Sequence, residues 1–242
     1  MRQLVKIYRG CAEPAVNGLD FSVREGEIFG LLGPNGAGKT TAISIMCTLL
    51  RPTSGSVVLG GADVVNDPAA VRKKFGLAPQ DIALYPSLTA RENLRFFGRL
   101  YGLTGRHLEE RISACLDLVG LTESGDRLVD SYSGGMKRRA NLAAAMIHTP
   151  KILFLDEPTV GIDAQSRNMI LENLAALREA GMTIIYTTHY MEEAEHLCTR
   201  VAVMDRGRII TSGTPQALID NVDGCANLEE LFLHHTGKQL RD

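Results

Sequence analysis

The stretch that most constrains this chain is Gly33-Pro34-Asn35-Gly36-Ala37-Gly38-Lys39-Thr40, followed by Thr41. Upstream, Ile28-Phe29-Gly30-Leu31-Leu32 reads as a short buried strand. Downstream, Ile43, Met46, Cys47 and Leu50 recur at helical spacing. Strand, glycine-rich turn and helix, in that order, are the setting in which Gly-x-x-x-x-Gly-Lys-Thr holds phosphate. Glycine lets the backbone curl until its N–H groups point inward, and the positive end of the following helix adds to that field. Lys39 can reach the β- and γ-phosphates, and the Thr40 hydroxyl is placed to hold Mg²⁺. A nucleoside triphosphate site is expected here.

At 242 residues the chain is long enough for one large α/β domain, or for such a domain with an inserted subdomain. Apolar content of 45% and charged content of 22% are ordinary for a globular protein that needs no disulfide staples. The net charge of −2 provides no global basic field for nucleic acid or anionic lipid. Five scattered cysteines without metal-type spacing point to reduced structural thiols. No stretch approaches the ~20 apolar residues of a membrane span, and no signal segment opens the chain. Any membrane function is therefore expected to need another polypeptide to cross the bilayer.

The first 27 residues look like edge β structure, with Asn17-Gly18 as a hairpin signal. Ser56–Leu59 and Phe75–Pro79 read as further strands, the second leading to Gln80. The texture then changes. Thr89 and Glu92 form a capping box before Leu94, Phe97 and Tyr101, and Leu108–Val119 is a second amphipathic helix. Residues 81 to about 132 carry no convincing strand, so a helical subdomain inserted over 81–139 is expected, flanked by core segments 1–80 and 140–242. Ser133 reads as the N-cap of a helix running through Met146. The α/β pattern resumes with the apolar run Ile152–Leu155, a helix over Gln165–Ala180, a strand over Thr183–Thr187 and a hairpin about Asp205-Arg206-Gly207.

Asp156-Glu157 closes the apolar strand, at the end where doubly wound sheets hold ligands. Asp156 would belong to the Mg²⁺ shell and Glu157 would take a proton from the attacking water. His189 follows the next strand by the same logic and could donate to the γ-phosphate. The Gln80 amide could contact Mg²⁺ or the water. Ser133-Gly134-Gly135 opens a second glycine-rich helix, hence a second anion site. One triphosphate does not need two such sites from one molecule, so this one is expected to close over the nucleotide of a second copy. Lys137-Arg138-Arg139 reads as a solvated basic face rather than a nucleic-acid patch.

These motifs together resemble the ATP-binding subunit of an ABC transporter over essentially the whole chain. In that family's terms Gly33–Thr40 matches Walker A, Ile152–Asp156 Walker B and Glu157 the catalytic glutamate. Gln80 matches the Q-loop, Ser133-Gly134-Gly135 the signature, Asp163 the D-loop and His189 the switch histidine, while Tyr8 matches the aromatic residue that stacks on adenine. The resemblance implies an α/β P-loop NTPase fold with a RecA-like, mostly parallel sheet, an antiparallel edge and the helical insertion. It implies ATP and Mg²⁺ as cofactors, ATP hydrolysis, a head-to-tail ATPase dimer and a transmembrane permease subunit at the cytoplasmic face of the membrane. The partner's groove would lie near Gln80 and 81–88. Met136-Lys137-Arg138-Arg139, Arg51–Gly55 and Leu231–Gly237 resemble the antibiotic-resistance, daunorubicin-type exporter ATPases.

Some positions depart from that pattern. Tyr132 stands where the signature usually has leucine, and is expected to be tolerated because Ser133 and both glycines are intact. The N-terminus is short, so the first strand is expected to be missing or frayed. Cys11–Pro14 lengthens the loop after Tyr8, and no regulatory module is expected after the last hairpin. The alternatives are an importer or non-drug exporter ATPase, a soluble ABC-type ATPase acting on ribosomes or DNA, and a non-hydrolysing regulator. The second class usually carries two cassettes or a coiled coil and a basic surface; intact Glu157 and His189 argue against the third. Lys39→Ala is expected to abolish ATP binding at micromolar nucleotide, as measured by equilibrium titration.

Overall fold

The computed structural model describes residues 1–237. These gather into two compact units, one built from Met1–Lys74 with the described residues from Thr183 onward, the other from Phe75–Met182.

In the first unit, β1 (Arg2–Lys6) pairs antiparallel with β2 (Val16–Leu19). The fully buried β3 (Ile28–Leu32) leads through the glycine loop into α1 (Lys39–Met46). A short strand, β4 (Ser54–Ser56), covers the other edge of β1, and β5 (Val58–Leu59) with β6 (Ala62–Asp63) forms a small ribbon. The expected single strand at 56–59 is thus divided at the buried Val57, where the chain passes from one sheet to the next. Asp67 then caps α2 (Pro68–Arg72), accepting from the Ala70 amide with proline in the first turn.

Two expectations about this region are overturned. The first strand is neither missing nor frayed: β1 is paired on both edges, and the Met1 amino group donates to the Phe21 carbonyl at 2.8 Å. Nor is Asn17-Gly18 a hairpin turn. Gly18 lies inside β2 with φ +73°, the extra residue between the pairs Leu4–Leu19 and Val5–Asn17. A β-bulge uses the same left-handed freedom that a tight turn would use, so local chemistry cannot separate the two.

The second unit opens with β7 (Phe75–Ala78), and helices follow. The box foreseen at Thr89 and Glu92 caps α3 (Ala90–Leu100), with bonds of 3.1 and 2.8 Å. Next come α4 (Gly105–Leu118) and α5 (Gly134–Met146), the latter capped by Ser133 as read. Leu94, Leu108, Ile112, Leu116, Val129 and Leu142 are all buried. β8 (Ile152–Asp156) runs parallel to β7 with Ala78 opposite Leu155, and α6 (Ala164–Glu179) follows. A Cβ on Gly76 would collide with the Ala145 carbonyl, so glycine is what lets α5 lie directly on β7.

The chain re-enters the first unit through β9 (Thr183–Thr188), α7 (Met191–Leu197), β10 (Arg200–Asp205) and β11 (Arg208–Gly213), then α8 (Pro215–Asp220) and α9 (Leu228–Thr236). β3 lies between β9 and β10 and is parallel to both, with β11 antiparallel at the edge. Burial on both faces explains why β3 and the centre of β10 are continuously apolar rather than alternating. The architecture is α/β, mostly parallel, with an antiparallel edge and a helical segment between the strands.

Tyr132 is buried, and its hydroxyl donates to the Ser124 carbonyl at 2.6 Å. Its ring therefore takes up an interior position, and its oxygen is satisfied there, which explains how tyrosine is accommodated. Tyr132→Phe is expected to cost about 1 kcal/mol of stability, the typical net value of one such bond, read from the urea midpoint.

Candidate nucleotide site

The loop after β3 is shaped by main-chain crowding. Gly33, Gly36 and Gly38 have φ of +147°, +82° and +101°. A Cβ on Gly33 would collide with the Met204 carbonyl, and one on Gly38 with the Ala15 carbonyl. Both neighbours are backbone and cannot swing away. Gly38 occupies the N-cap of α1 in the left-handed conformation, without a side-chain cap. Lys39 is only 4% exposed, and its ammonium donates to the Gly33 and Pro34 carbonyls at 2.8 and 3.2 Å. The next residue, Thr40, is exposed at the start of the helix. The result is a curled main chain, a buried cation and a helix N-terminus in one place, which suits a polyphosphate.

Tyr8 is brought to the same region. Its hydroxyl lies 3.2 Å from Thr41 Oγ1 in the first turn of α1, and the Lys6 ammonium sits 5.5 Å from its ring centroid. Tyr8 as a whole is 42% exposed. His189 leaves the carboxyl end of β9, directly after Thr188, whose register partner is Leu32. Because Gly33 follows Leu32, the histidine and the loop emerge from adjacent strand ends.

In the second unit, Asp156 ends β8 with Glu157 directly after it, and Gln80 lies two residues beyond the adjacent parallel β7. Both acids are buried. Glu157 has φ +48°, in the left-handed region where a glutamate rarely sits. Such backbone strain concentrates at functional positions. Asp163 caps α6 by accepting from the Ser166 amide at 2.8 Å, and its carboxyl is held below the usual range chiefly by hydrogen bonds from Ser166. Ser133 and Gly134 are exposed at the N-terminus of α5. Gly135 is not: a Cβ there would collide with Ser166 Oγ, so this glycine lets α5 approach the first turn of α6.

The sequence reading missed what anchors the loop around Gln80. Arg138 donates to the Gln80 carbonyl and, at 3.4 Å, to the Val160 carbonyl. One turn further along α5, Asn141 donates to the Pro79 carbonyl at 3.2 Å and accepts from the Ala83 amide at 3.1 Å. Asn93 likewise brackets Tyr85, accepting from its amide at 2.8 Å and donating to its carbonyl at 3.0 Å. Side chains, not strand pairing, hold residues 79–85. The expected solvated basic face is therefore corrected at two of its three positions. Arg139 donates to the Val119 and Gly120 carbonyls, and burial pushes both guanidinium groups below their usual range. The carboxylates of Asp81 and Glu157 partly offset that shift at Arg138. The arginine–carbonyl spacing across 58 residues is invisible to local pattern reading.

Among the described residues no group of three or more histidine, cysteine, aspartate or glutamate side chains could enclose a metal ion.

A phosphate loop between a buried strand and a helix, within a mostly parallel α/β architecture, defines a P-loop nucleotide-binding fold. Residues 16–160 match the ABC transporter family, and the chain belongs to that family as an ATP-binding, ATP-hydrolysing domain. It is 51% identical over 209 residues to the linearmycin resistance ATP-binding protein LnrL of Bacillus subtilis, covering 86% of this chain and 67% of that one. It is 48% identical over 210 residues to the daunorubicin resistance ATP-binding protein DrrA2 of Streptomyces coeruleorubidus, covering 87% and 65%. The chain thus spans about two thirds of the length of these relatives. A dimeric post-hydrolysis structure of the ATP-binding cassette MJ0796, bound to ADP and Pi, superposes with a TM-score of 0.81 at 25% identity, covering 88% of this chain and 97% of that one.

Arg138→Ala is expected to lower ATP turnover about tenfold through misplacement of the 79–85 loop, with the KM for ATP within about twofold of wild type. Steady-state phosphate release checks it.

Proposed function

We propose that this chain is the ATPase subunit that powers export through a separate transmembrane permease, working as a dimer at the cytoplasmic face of the membrane. The observation that carries the hydrolytic part is Glu157, a buried carboxylate in a strained conformation at the carboxyl end of a parallel strand. Backbone strain of this kind clusters at active sites, and here the use we assign is a general base aimed at water. The names of the relatives, resistance ATP-binding proteins, support the export reading. Among the described residues no helix is long and apolar enough to cross a membrane; in this reading the pathway belongs to the permease.

In this reading the amides of Gly33–Gly38 and the Lys39 ammonium hold the β- and γ-phosphates, with Tyr8 against the adenine. Thr40, Asp156 and Gln80 would hold Mg²⁺, which supplies charge neutralisation at the phosphates. Glu157 accepts the proton of the attacking water, and His189 donates a hydrogen bond to the γ-phosphate. Ser133, Gly134 and Gly135 at the head of α5 face the nucleotide of the second copy, whose phosphate their amides and the helix dipole favour. Asp163 lies at the junction between copies. Segments 1–80 and 140–242 form the nucleotide-holding core, and 81–139 passes its movement to the permease.

If Glu157 is the base, Glu157→Gln retains ATP and runs as a dimer in gel filtration with ATP·Mg²⁺, with phosphate release reduced at least about a hundredfold. Wild-type turnover in that variant would overturn the assignment.

A further inference from the structure

His189 sits on a turn of two residues, between β9 and α7. Such a turn does not by itself fix the side chain it carries. Tyr190, at the N-cap of α7, gives the helix no side-chain cap, although its own amide donates to Thr188 Oγ1 at 2.9 Å. The imidazole packs at a tilt on the Tyr190 ring, with centroids 4.2 Å apart, and remains partly exposed. A helix of seven residues is too short to be stable alone, so its placement must come from tertiary contacts.

One of those contacts is polar, buried and spans the histidine. The Tyr186 hydroxyl donates to Glu193 Oε2 at 2.6 Å. Tyr186 is three residues before His189 on β9, and Glu193 is four residues after it on α7. The tyrosine is 0% exposed and the glutamate 6%. That distance is characteristic of a hydroxyl donating to a carboxylate, the stronger class of hydrogen bond. Burying a carboxylate is expensive without such a partner, so an apolar pair would have served packing alone at lower cost.

The surroundings leave the clamp little slack. Gly30 is the register partner of Tyr186 on β3, and a Cβ there would lie 2.8 Å from Cys198 Sγ just beyond α7. The end of α7 is thus pressed onto the sheet next to the tyrosine. Burial, with the Glu193 carboxylate adding to it, pushes the Cys198 thiol well above its usual range. On the outer side, Glu195 Oε2 accepts from the Leu228 amide at 3.0 Å, tying α7 to the start of α9.

We propose that the buried Tyr186–Glu193 hydrogen bond is the positioning device for His189, clamping β9 to α7 on both sides of the turn so that the imidazole is held at the strand end for the γ-phosphate. Neither residue touches the nucleotide; both act through His189. The inference rests on the reading of His189 given above.

The test is a double-mutant cycle on the full chain, reading ATP turnover, KM for ATP and thermal midpoint. Tyr186→Phe keeps the ring and removes the donor; it is expected to lower kcat about tenfold with KM within about twofold. Glu193→Gln still offers an oxygen to the tyrosine and is expected to stay within about threefold of wild-type kcat, whereas Glu193→Ala falls as Tyr186→Phe does. His189→Ala is expected to be severely impaired, and adding Tyr186→Phe to it should reduce kcat no further. A further tenfold loss in that double variant would overturn the proposal, because the pair would then act independently of the histidine. So would unchanged kcat in both Tyr186→Phe and Glu193→Ala while His189→Ala remains crippled. Wild-type turnover in His189→Ala would instead overturn the reading of His189 and take this inference with it.

Discussion

The first unit depends on two places where main chain meets main chain with no room for a side-chain carbon. Gly33 lies against the Met204 carbonyl at the end of β10, and Gly38 against the Ala15 carbonyl before β2. These contacts pin both ends of the phosphate loop, so its curl is set by the fold around it. The buried Lys39 ammonium closes the curl from within by bonding to the carbonyls of Gly33 and Pro34. Parallel pairing of β3 with β9 then decides which side chain leaves the sheet beside the loop, and that side chain is His189.

In the second unit one helix answers two demands. The head of α5 presents Ser133 and Gly134 to solvent, with Ser133 Oγ capping the Met136 amide. Its first two turns carry Arg138 and Asn141, which hold the chain on either side of Gln80 by its carbonyls and amides. A change in the tilt of α5 would therefore be felt directly at Gln80. Gly76 and Gly135 permit this by letting the helix sit against β7 at one end and α6 at the other.

Much of the local structure around the candidate site was legible because it depends on neighbouring residues. Strand, glycine loop, lysine and helix occur within a few consecutive residues, as do Asp156-Glu157 at the end of β8 and Ser133 before α5. Caps at Thr89 and Ser133 depend on residues within three positions of one another, so pattern reading finds them. It failed where partners are distant. The Asn17-Gly18 pair encodes a positive φ but not whether that φ serves a turn or a bulge; pairing with β1 decides. Arg138 and Arg139 look like a solvated stripe until the carbonyls of Gln80, Val160 and Val119 arrive from elsewhere in the chain. Helix α7 has no apolar period long enough to announce itself, and the bond between Tyr186 and Glu193 appears only once the strand and helix are packed.

By itself the sequence determined where the glycine loop lies between strand and helix, which residues begin a helix, and which are candidates to hold phosphate or accept a proton, because those properties belong to side chains and to neighbours a few residues apart. The glycine loop was recognisable on that basis alone. Only the tertiary structure decided that Gly33 and Gly38 have no alternative, that Arg138 serves the Gln80 loop, and that His189 is flanked by a buried clamp. Those outcomes depend on strand register and on backbone carbonyls brought together across long stretches of chain, and no local periodicity encodes either.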